Sequence, residues 1–144
     1  MKLYSAENLN RANKLMSLKL MRVPLLMPHE EINEKRFKRL LEKIKKNKFV
    51  VPIVVDVNSL TILDGHHRVK VIESLKYRNI PAYLLDYEQR TIKVFPRRKN
   101  YEVNKKTVIS RAINRNLYPP RTTRHIINGL KDWKIPIDLL DKEK

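Results

Sequence analysis

The sequence predicts an α+β domain in which helices pack against a small mixed β-sheet. Short β-branched apolar runs alternate along the chain with segments whose apolar residues recur at helical spacing. The 144 residues suffice for one domain with a hydrophobic core and are few for two. We therefore expect one main domain at residues 18–133, preceded by a helical extension at 1–17 and followed by a tail at 134–144.

The first half of the chain is predicted to hold a short helix, an edge strand, a basic helix and a hairpin. Ser5 and Asn33 are placed to cap the two helices. The first strand is assigned to a sheet edge because Pro24 would interrupt a central strand. The predicted bounds are 5–16 for the short helix, 18–27 for the edge strand, 34–47 for the basic helix, and 50–57 and 61–63 for the hairpin.

The second half is predicted to continue with a helix, two strands and two further helices. Pro119 and Pro120 fix an extended connection before the last helix, because proline restricts both its own backbone and that of the preceding residue. The predicted bounds are 67–78 for the first of these helices, 80–87 and 91–95 for the strands, and 103–115 and 123–133 for the last two helices.

The strand-to-helix turn at Asp64 and Gly65 is the most informative motif. The first turn of a helix leaves amide donors unpaired and carries a partial positive charge, so it binds phosphate or carboxylate readily. His66, His67 and Arg68 add side-chain donors at the same point. The alternative is a plain capped helix, with Asp64 as the N-cap and Gly65 supplying a positive φ.

A second cluster of donors follows the two prolines. Arg121, Thr122, Thr123, Arg124 and His125 combine two hydroxyls, two guanidinium groups and an imidazole. Such a set can donate many hydrogen bonds to one tetrahedral anion. The alternative is a threonine-capped, basic helix start.

A pair of carboxylates completes the candidate site. Glu30 and Glu31 follow His29 directly after the predicted edge strand. In a cationic site one carboxylate could take the proton from an attacking hydroxyl or hold Mg²⁺. The alternative is helix-start electrostatics, which favours acids near a helix N-terminus. Since all four histidines lie in these three segments, we expect the segments to converge on one pocket.

The formal net charge of +17 predicts an anionic partner, either a polyanion or an anionic small molecule. Basic residues concentrate at 35–48, assigned to the solvated face of a helix, and at 97–124, which suggests either a nucleic-acid contact or an ordinary basic surface. The chain has no cysteine, which excludes disulfides, thiolate metal sites and cysteine nucleophiles.

Localisation and source are predicted from what the composition contains and lacks. No apolar run approaches about 18 residues and the start lacks the apolar core of a signal peptide, so we expect a soluble, cytoplasmic protein without a membrane partner. A single glutamine and few glycines fit a heat-loving source.

Five segments together resemble the ParB/sulfiredoxin-like superfamily and, within it, the archaeal nucleotide-dependent free-serine kinases. They occur in the family's order across residues 19–128, so the resemblance covers most of the chain. The segments are LMPHEE at 26–31, PIVVD at 52–56, ILDGHHR at 62–68, PAYLLDY at 81–87 and YPPRTTRH at 118–125.

The resemblance implies transfer of a phosphoryl group from ADP or ATP, with Mg²⁺, to the hydroxyl of free L-serine, giving O-phosphoserine. It implies no residue as a dedicated metal ligand. The residues it assigns are Glu30 as general base, His67 as a second catalytic residue, Asp64, Gly65, His66, His67 and Arg68 for the nucleotide phosphates, and Thr122, Thr123, Arg124 and His125 for the substrate or its phosphate.

The chain departs from its relatives in ways that keep other functions open. The serine kinases carry a tryptophan soon after the last strand, whereas the single tryptophan here is Trp133. The partition proteins have a Gly-Glu-Arg-Arg type of phosphate motif where this chain has Gly-His-His-Arg. The alternatives are a basic, ParB-like nucleic-acid-binding module with a regulatory or vestigial nucleotide pocket, and a nucleotide-binding accessory protein without catalysis.

Overall fold

The computed structural model describes residues 16–143 and has eight strands and three α-helices within that range. The strands are β1 (Met16–Arg22), β2 (Phe49–Val50), β3 (Ile53–Asp56), β4 (Ile62–Asp64), β5 (Asn79–Leu85), β6 (Lys93–Pro96), β7 (Thr123–Ile126) and β8 (Ile135–Pro136). The helices are α1 (Glu34–Asn47), α2 (His66–Ser74) and α3 (Lys105–Ile113).

A four-stranded mixed sheet in the order β1-β5-β3-β4 is the centre of the fold. β5 runs parallel to β3 and antiparallel to β1, and β3 and β4 form an antiparallel hairpin. All four residues of β3 are buried, because side chains that alternate along a strand meet a core on each face. Ile53 and Val55 face the core that α1 and α2 cover, whereas Val54 faces the core that includes Val108 of α3. The predicted α+β class and mixed sheet are confirmed.

Several predicted elements are confirmed at their expected places. α1 spans 34–47 as predicted, and the side chain of Asn33 caps it by accepting from the backbone N–H of Arg36. β1 lies at the sheet edge and ends at Arg22, before Pro24 enters a short 3₁₀ turn. The hairpin of β3 and β4 also forms, although the predicted strand over 50–57 divides at Pro52, which has no N–H for a ladder.

The predicted helix at 123–133 is wrong. Residues 123–126 form β7, which pairs antiparallel with β6 in the register Phe95 to Arg124 and Val94 to His125. Side-chain exposure alternates along β7, as expected of a strand with one face toward the protein. The second donor cluster therefore lies on a turn and a strand rather than at a helix N-terminus.

The predicted short helix at 5–16 lies outside the described residues except for Met16, which begins β1. The division of the chain at residues 17 and 133 stays a prediction. Ile135, Ile137 and Leu140 are buried in the same core as the central sheet, and Trp133 packs there too. Between residues 16 and 143, no helix is long and apolar enough to cross a membrane.

Candidate functional site

An open cavity of about 800 Å³ lies where the start of α2, the turn before β7 and one face of α1 meet. All three segments that carry the histidines contribute to its lining or its wall. Carboxylates at the lining belong to Glu30, Glu31 and Asp64. The cationic side chains that line it are Arg36, Arg39, Lys43, Arg68, Arg97, Arg121 and Arg124. This excess of positive charge in a concave site favours an anionic ligand.

Helix α1 contributes three cationic side chains to the cavity lining that were not predicted as site residues. Arg36, Arg39 and Lys43 line the cavity, whereas the analysis assigned the basic residues of this helix to a solvated face. All three side chains are exposed, as that assignment predicts, and they border the cavity as well. Their spacing of three and four residues puts them on one helix face, beside the apolar stripe that faces the core. That spacing is the signal that could have identified them.

Gly65 turns the chain from β4 into α2 at φ +109°, a left-handed conformation that favours glycine. A Cβ built at this position would lie 2.4 Å from Ile53 Cγ2 and 2.9 Å from Ile53 Cβ. Since Ile53 is fully buried in the central strand, it cannot move aside cheaply. The glycine thus lets the N-terminus of α2 approach β3, an interior strand of the sheet, closely.

Replacing Gly65 by Ala is expected to lower the free energy of unfolding by about 3 kcal/mol, through overpacking against Ile53 added to backbone strain. Urea unfolding followed by circular dichroism measures the loss. Gly129→Ala is the matched control, because φ at Gly129 is +83° but a Cβ there would have no neighbour within 4 Å. We expect that control to lose only about 1 kcal/mol. Equal losses in the two variants would contradict the close-approach explanation.

The Arg68 guanidinium is engaged mainly with the protein itself. Its Nη1 donates to the carbonyl of Pro52 at 3.0 Å and its Nη2 to Asp64 Oδ2 at 3.1 Å. The Asp64 carboxylate therefore pairs with Arg68, and Gly65 rather than Asp64 is the N-cap of α2. Arg68 ties the start of α2 to the segment before β3 and still lines the cavity.

His66 and His67 join the start of α2 to the loop that carries Glu30. Nε2 of His66 accepts the backbone N–H of His29 at 3.1 Å, and Nε2 of His67 accepts that of Asn33 at 2.9 Å. Each ring is therefore neutral, with its proton on Nδ1. Burial lowers the pKa of both imidazoles, and for His67 the nearby guanidinium of Arg36 lowers the pKa further. These side chains line the cavity as neutral imidazoles rather than as cations.

His125 and His29 are neutral for the same reason. Burial lowers the pKa of His125 to about 3 and that of His29 to about 4. Burial also raises the pKa of the Tyr87 hydroxyl, which stays protonated and lies 2.7 Å from His125 Nε2. Tyr87 is thus the donor and His125 Nε2 the acceptor, which leaves the His125 proton on Nδ1.

The free energy of unfolding is expected to fall as the pH is lowered from about 6.5 to about 4. A pKa depressed in the folded state means that the unfolded chain binds protons more readily in this range, so acid favours unfolding. The lowered pKa of His29 alone corresponds to about 3 kcal/mol. Urea unfolding at a series of pH values measures the slope. His29→Asn, whose amide can still donate to a carbonyl, should make the slope shallower, and an unchanged slope would contradict this origin.

The Glu30 carboxylate accepts hydrogen bonds from residues 121–123, at the turn that leads into β7, and this set of bonds is called the clasp. Its Oε1 accepts the backbone N–H groups of Arg121 and Thr122, and its Oε2 accepts the N–H of Thr123 at 3.3 Å. The Thr123 hydroxyl adds a 2.7 Å hydrogen bond to Oε2. Only 13% of the Glu30 side chain is exposed, at the cavity wall. Glu30 is therefore held in one orientation by donors from a distant part of the chain.

The residues predicted to hold the substrate are divided between the cavity and the interior. Thr123, Arg124 and His125 line the cavity. Thr122 is fully buried, and its hydroxyl donates to the carbonyl of Pro119 at 2.7 Å. Thr122 contributes only its backbone N–H to the site, as a donor to the Glu30 carboxylate.

The fold and the site together define an α+β domain with a largely cationic cavity at a strand-to-helix turn. The chain belongs to the ParB N-terminal domain family, whose model matches residues 4–95. The family predicted from the five sequence segments is thereby confirmed.

Similar proteins include an ATP-dependent L-serine kinase of Staphylothermus marinus, 38% identical over 80 residues that cover 52% of this chain and 32% of that protein. A ParB-like protein of Sulfolobus acidocaldarius is 39% identical over 69 residues, which cover 48% of this chain and 35% of that one. The chain thus matches about a third of the length of these relatives. A solved structure of a free serine kinase in complex with AMP has the same fold, with a TM-score of 0.77, 14% identity, and coverage of 85% of this chain and 93% of that one.

Proposed function

We propose that this chain is the catalytic domain of a nucleotide-dependent phosphotransferase that phosphorylates the hydroxyl of free L-serine to give O-phosphoserine. The observation that carries the proposal is the Glu30 carboxylate, held rigidly at the wall of a cavity whose other charged side chains are mostly cationic. Phosphoryl transfer requires chiefly positioning and positive charge around the phosphates, together with a group that takes the proton of the attacking hydroxyl. The serine kinases among the relatives support the same substrate.

The cationic groups and the neutral imidazoles have complementary roles in this proposal. Nucleotide phosphates lie at the N-terminus of α2, against its first amides and the Nδ1–H donors of His66 and His67. Arg36, Arg39 and Lys43 extend the positive field along α1. Arg121 and Arg124 on the opposite side stabilise the charge that spreads over the transferred phosphoryl group.

The chemical step then needs only Glu30 as a reacting side chain of the protein. The serine hydroxyl gives its proton to the Glu30 carboxylate while its oxygen forms a bond to the terminal phosphorus of the nucleotide. The bond from that phosphorus to the bridging oxygen breaks, and the electron pair leaves with the shortened nucleotide. The clasp by residues 121–123 keeps the carboxylate in place through the reaction.

ATP or ADP with Mg²⁺ is the proposed donor, and the names of the relatives favour ATP. Among residues 16–143, no group of three or more His, Asp or Glu side chains is arranged to hold a metal ion by itself. This donor set fits a magnesium ion that arrives on the nucleotide phosphates and keeps most of its waters. Asp64, exposed at the cavity lining and paired with Arg68 through Oδ2, is one carboxylate available to such an ion, which would supply further positive charge at the phosphates.

Binding to nucleic acid is the second candidate function, and the net charge of +17 favours it. Lys35, Lys38, Lys45 and Lys46 are exposed on α1 and do not line the cavity, so they remain available to a polyanion. In this alternative the nucleotide pocket is regulatory or vestigial. Binding of this kind weakens steeply as salt is added, whereas binding of a nucleotide in the cavity depends on salt more weakly.

Incubation of the purified protein with L-serine, Mg²⁺ and either ATP or ADP is expected to yield O-phosphoserine, detected by phosphorus NMR. The more effective donor identifies the nucleotide. Saturable nucleotide binding without product for any hydroxyl amino acid would favour an accessory protein. Absence of product together with salt-dependent binding of DNA or RNA would favour the nucleic-acid-binding alternative.

A further inference from the structure

His29 is a buried imidazole that the proposed reaction does not yet use. Its side chain is fully inaccessible, and its Nδ1 lies 2.7 Å from the carbonyl oxygen of Ile62. Because a carbonyl can only accept a hydrogen bond, Nδ1 must carry a proton. Burial lowers the pKa of His29 to about 4, so the ring is neutral near pH 7 and Nε2 carries a lone pair. His29 therefore has the same tautomer as His66, His67 and His125, with its proton on Nδ1.

The Thr123 hydroxyl lies between two acceptors. Its Oγ1 is 2.7 Å from Glu30 Oε2 and 3.0 Å from His29 Nε2. The hydroxyl has one proton and can donate it to only one of them. An ionised Glu30 takes this hydrogen bond, because bonds to a charged acceptor are the stronger ones. Nε2 of His29 then faces the Thr123 oxygen with no proton between them. Glu30, Thr123 and His29 thus form a row of three polar groups in which one hydrogen bond lacks its proton.

We propose that Thr123 and His29 are positioning residues that complete this row when Glu30 accepts a proton. The new O–H on Glu30 Oε2 donates to Thr123 Oγ1, and the Thr123 hydroxyl turns to donate to His29 Nε2. Every polar atom of the row is then hydrogen-bonded, so the row stays intact when Glu30 carries the proton.

The proton balance follows from the proposed function, on which this part of the inference rests. The O–H bond of the serine hydroxyl breaks and an O–H bond forms on Glu30, while the serine oxygen bonds to phosphorus. Thr123 exchanges one hydrogen-bond acceptor for another and gains no net proton. His29 gains a hydrogen bond and keeps its own proton on Nδ1. The proton leaves Glu30 to solvent or to the product before the next turnover.

The groups around His29 favour a neutral ring that takes part in the row over a charged imidazolium. His66 from α2 and His125 from β7 face its ring with centroids 4.5 Å and 5.6 Å away, and both are neutral imidazoles. Tyr118 faces it at 6.4 Å. The Glu30 carboxylate, with Oε2 3.9 Å from Nε2, is the charged group in direct reach. A proton that binds Glu30 therefore changes the hydrogen bonding of His29 through Thr123.

NMR of protein labelled at histidine and glutamate tests the row without any need for catalysis. In the natural chain we expect the His29 ring and the Glu30 carboxyl to respond to acid at one common midpoint, because one proton completes a row that both share. In Thr123→Val, which keeps the β-branched shape but removes the hydroxyl, the two midpoints should separate. Thr123→Ser should restore the common midpoint. Separate midpoints in the natural chain, or a common one in Thr123→Val, would overturn the proposal.

Kinetics supply a second measurement, because the pH profile of kcat would not change if Thr123 had only a structural role. We expect Thr123→Val to lower kcat about tenfold and to shift the acid limb of its pH profile, while Thr123→Ser keeps the natural limb. A lower kcat with an unmoved acid limb would count against the row. If the natural chain makes no O-phosphoserine at all, the proposed function fails, and the NMR titration still decides whether the row exists.

Discussion

Glu30→Gln is expected to lower kcat for O-phosphoserine formation about a thousandfold, because the amide cannot take the proton of the attacking hydroxyl. The affinity for nucleotide should stay within about threefold of the natural value, since the phosphates contact other residues in the proposed complex. Initial rates at saturating L-serine and nucleotide, together with calorimetric titration of nucleotide, measure the two quantities. Such a split between kcat and affinity is the signature of a group that acts in the transition state.

Glu31→Gln is the matched control for this experiment. Glu31 is the neighbouring carboxylate, is exposed, and has no part in the clasp formed by residues 121–123. We expect it to keep most of the activity. A fully active Glu30→Gln variant would remove Glu30 from the role of base, and an inactive Glu31→Gln variant would move that role to its neighbour. The amide in Glu30→Gln also leaves one donor of the clasp unpaired, so thermal unfolding of both variants must accompany the assay.

The double variant Arg39→Ala/Lys43→Ala is expected to weaken nucleotide binding about a hundredfold. Both side chains line the cavity from one face of α1, and a hydrogen bond from a cation to phosphate contributes about 1.5 kcal/mol or more. Helix α1 should keep its stability, because the cap at Asn33 and the buried Ile44 are untouched. Calorimetric titration with ATP and with ADP at fixed ionic strength measures the change.

Lys38→Ala/Lys45→Ala is the charge-matched control on the same helix. Both of these lysines are exposed and neither lines the cavity. We expect this variant to bind nucleotide within about twofold of the natural chain, because exposed charges that make no contact with the ligand are weakened by water and salt. Equal weakening in the two double variants would mean that net charge alone, and not the lining of the cavity, holds the nucleotide. The same pair of variants separates the two candidate functions, since nucleic-acid binding should suffer more in the control.

Local sequence signals were sufficient for most of the elements, but they failed at β7 and did not predict the two-residue strand β8. The bounds of α1 follow from the Asn33 cap and a strong apolar periodicity, both of which act within a few residues. β7 was predicted as a helix because its four residues are too few to distinguish the apolar period of a helix from the alternation of a strand. Pairing with β6, which lies nearly thirty residues earlier, made it a strand. Tertiary pairing thus overrode a weak local preference.

The candidate site, too, could be predicted from the sequence only in part. The glycine turn at Gly65 and the presence of Glu30 are visible in the sequence, because each belongs to a short motif with its own chemistry. The roles of Arg68 and Thr122 could not be read there, since their hydrogen bonds go to the carbonyls of Pro52 and Pro119 and not to the cavity. Arg39 and Lys43 were assigned to a solvated face because their spacing shows that they share one face of the helix but not that this face borders a cavity.

The sequence by itself determined the α+β class, the family, the strand-to-helix turn and the residue types available for anion chemistry. Those properties depend on periodicity, on capping and on motifs that extend over a few residues. Only the tertiary structure decided that Glu30 is clasped by a turn more than ninety residues away, and that His29 and Thr123 form a row with it. It also decided that the histidines are neutral. The physical reason is that burial and long-range hydrogen bonds fix both the orientation and the protonation of a side chain, and neither is encoded by its neighbours in sequence.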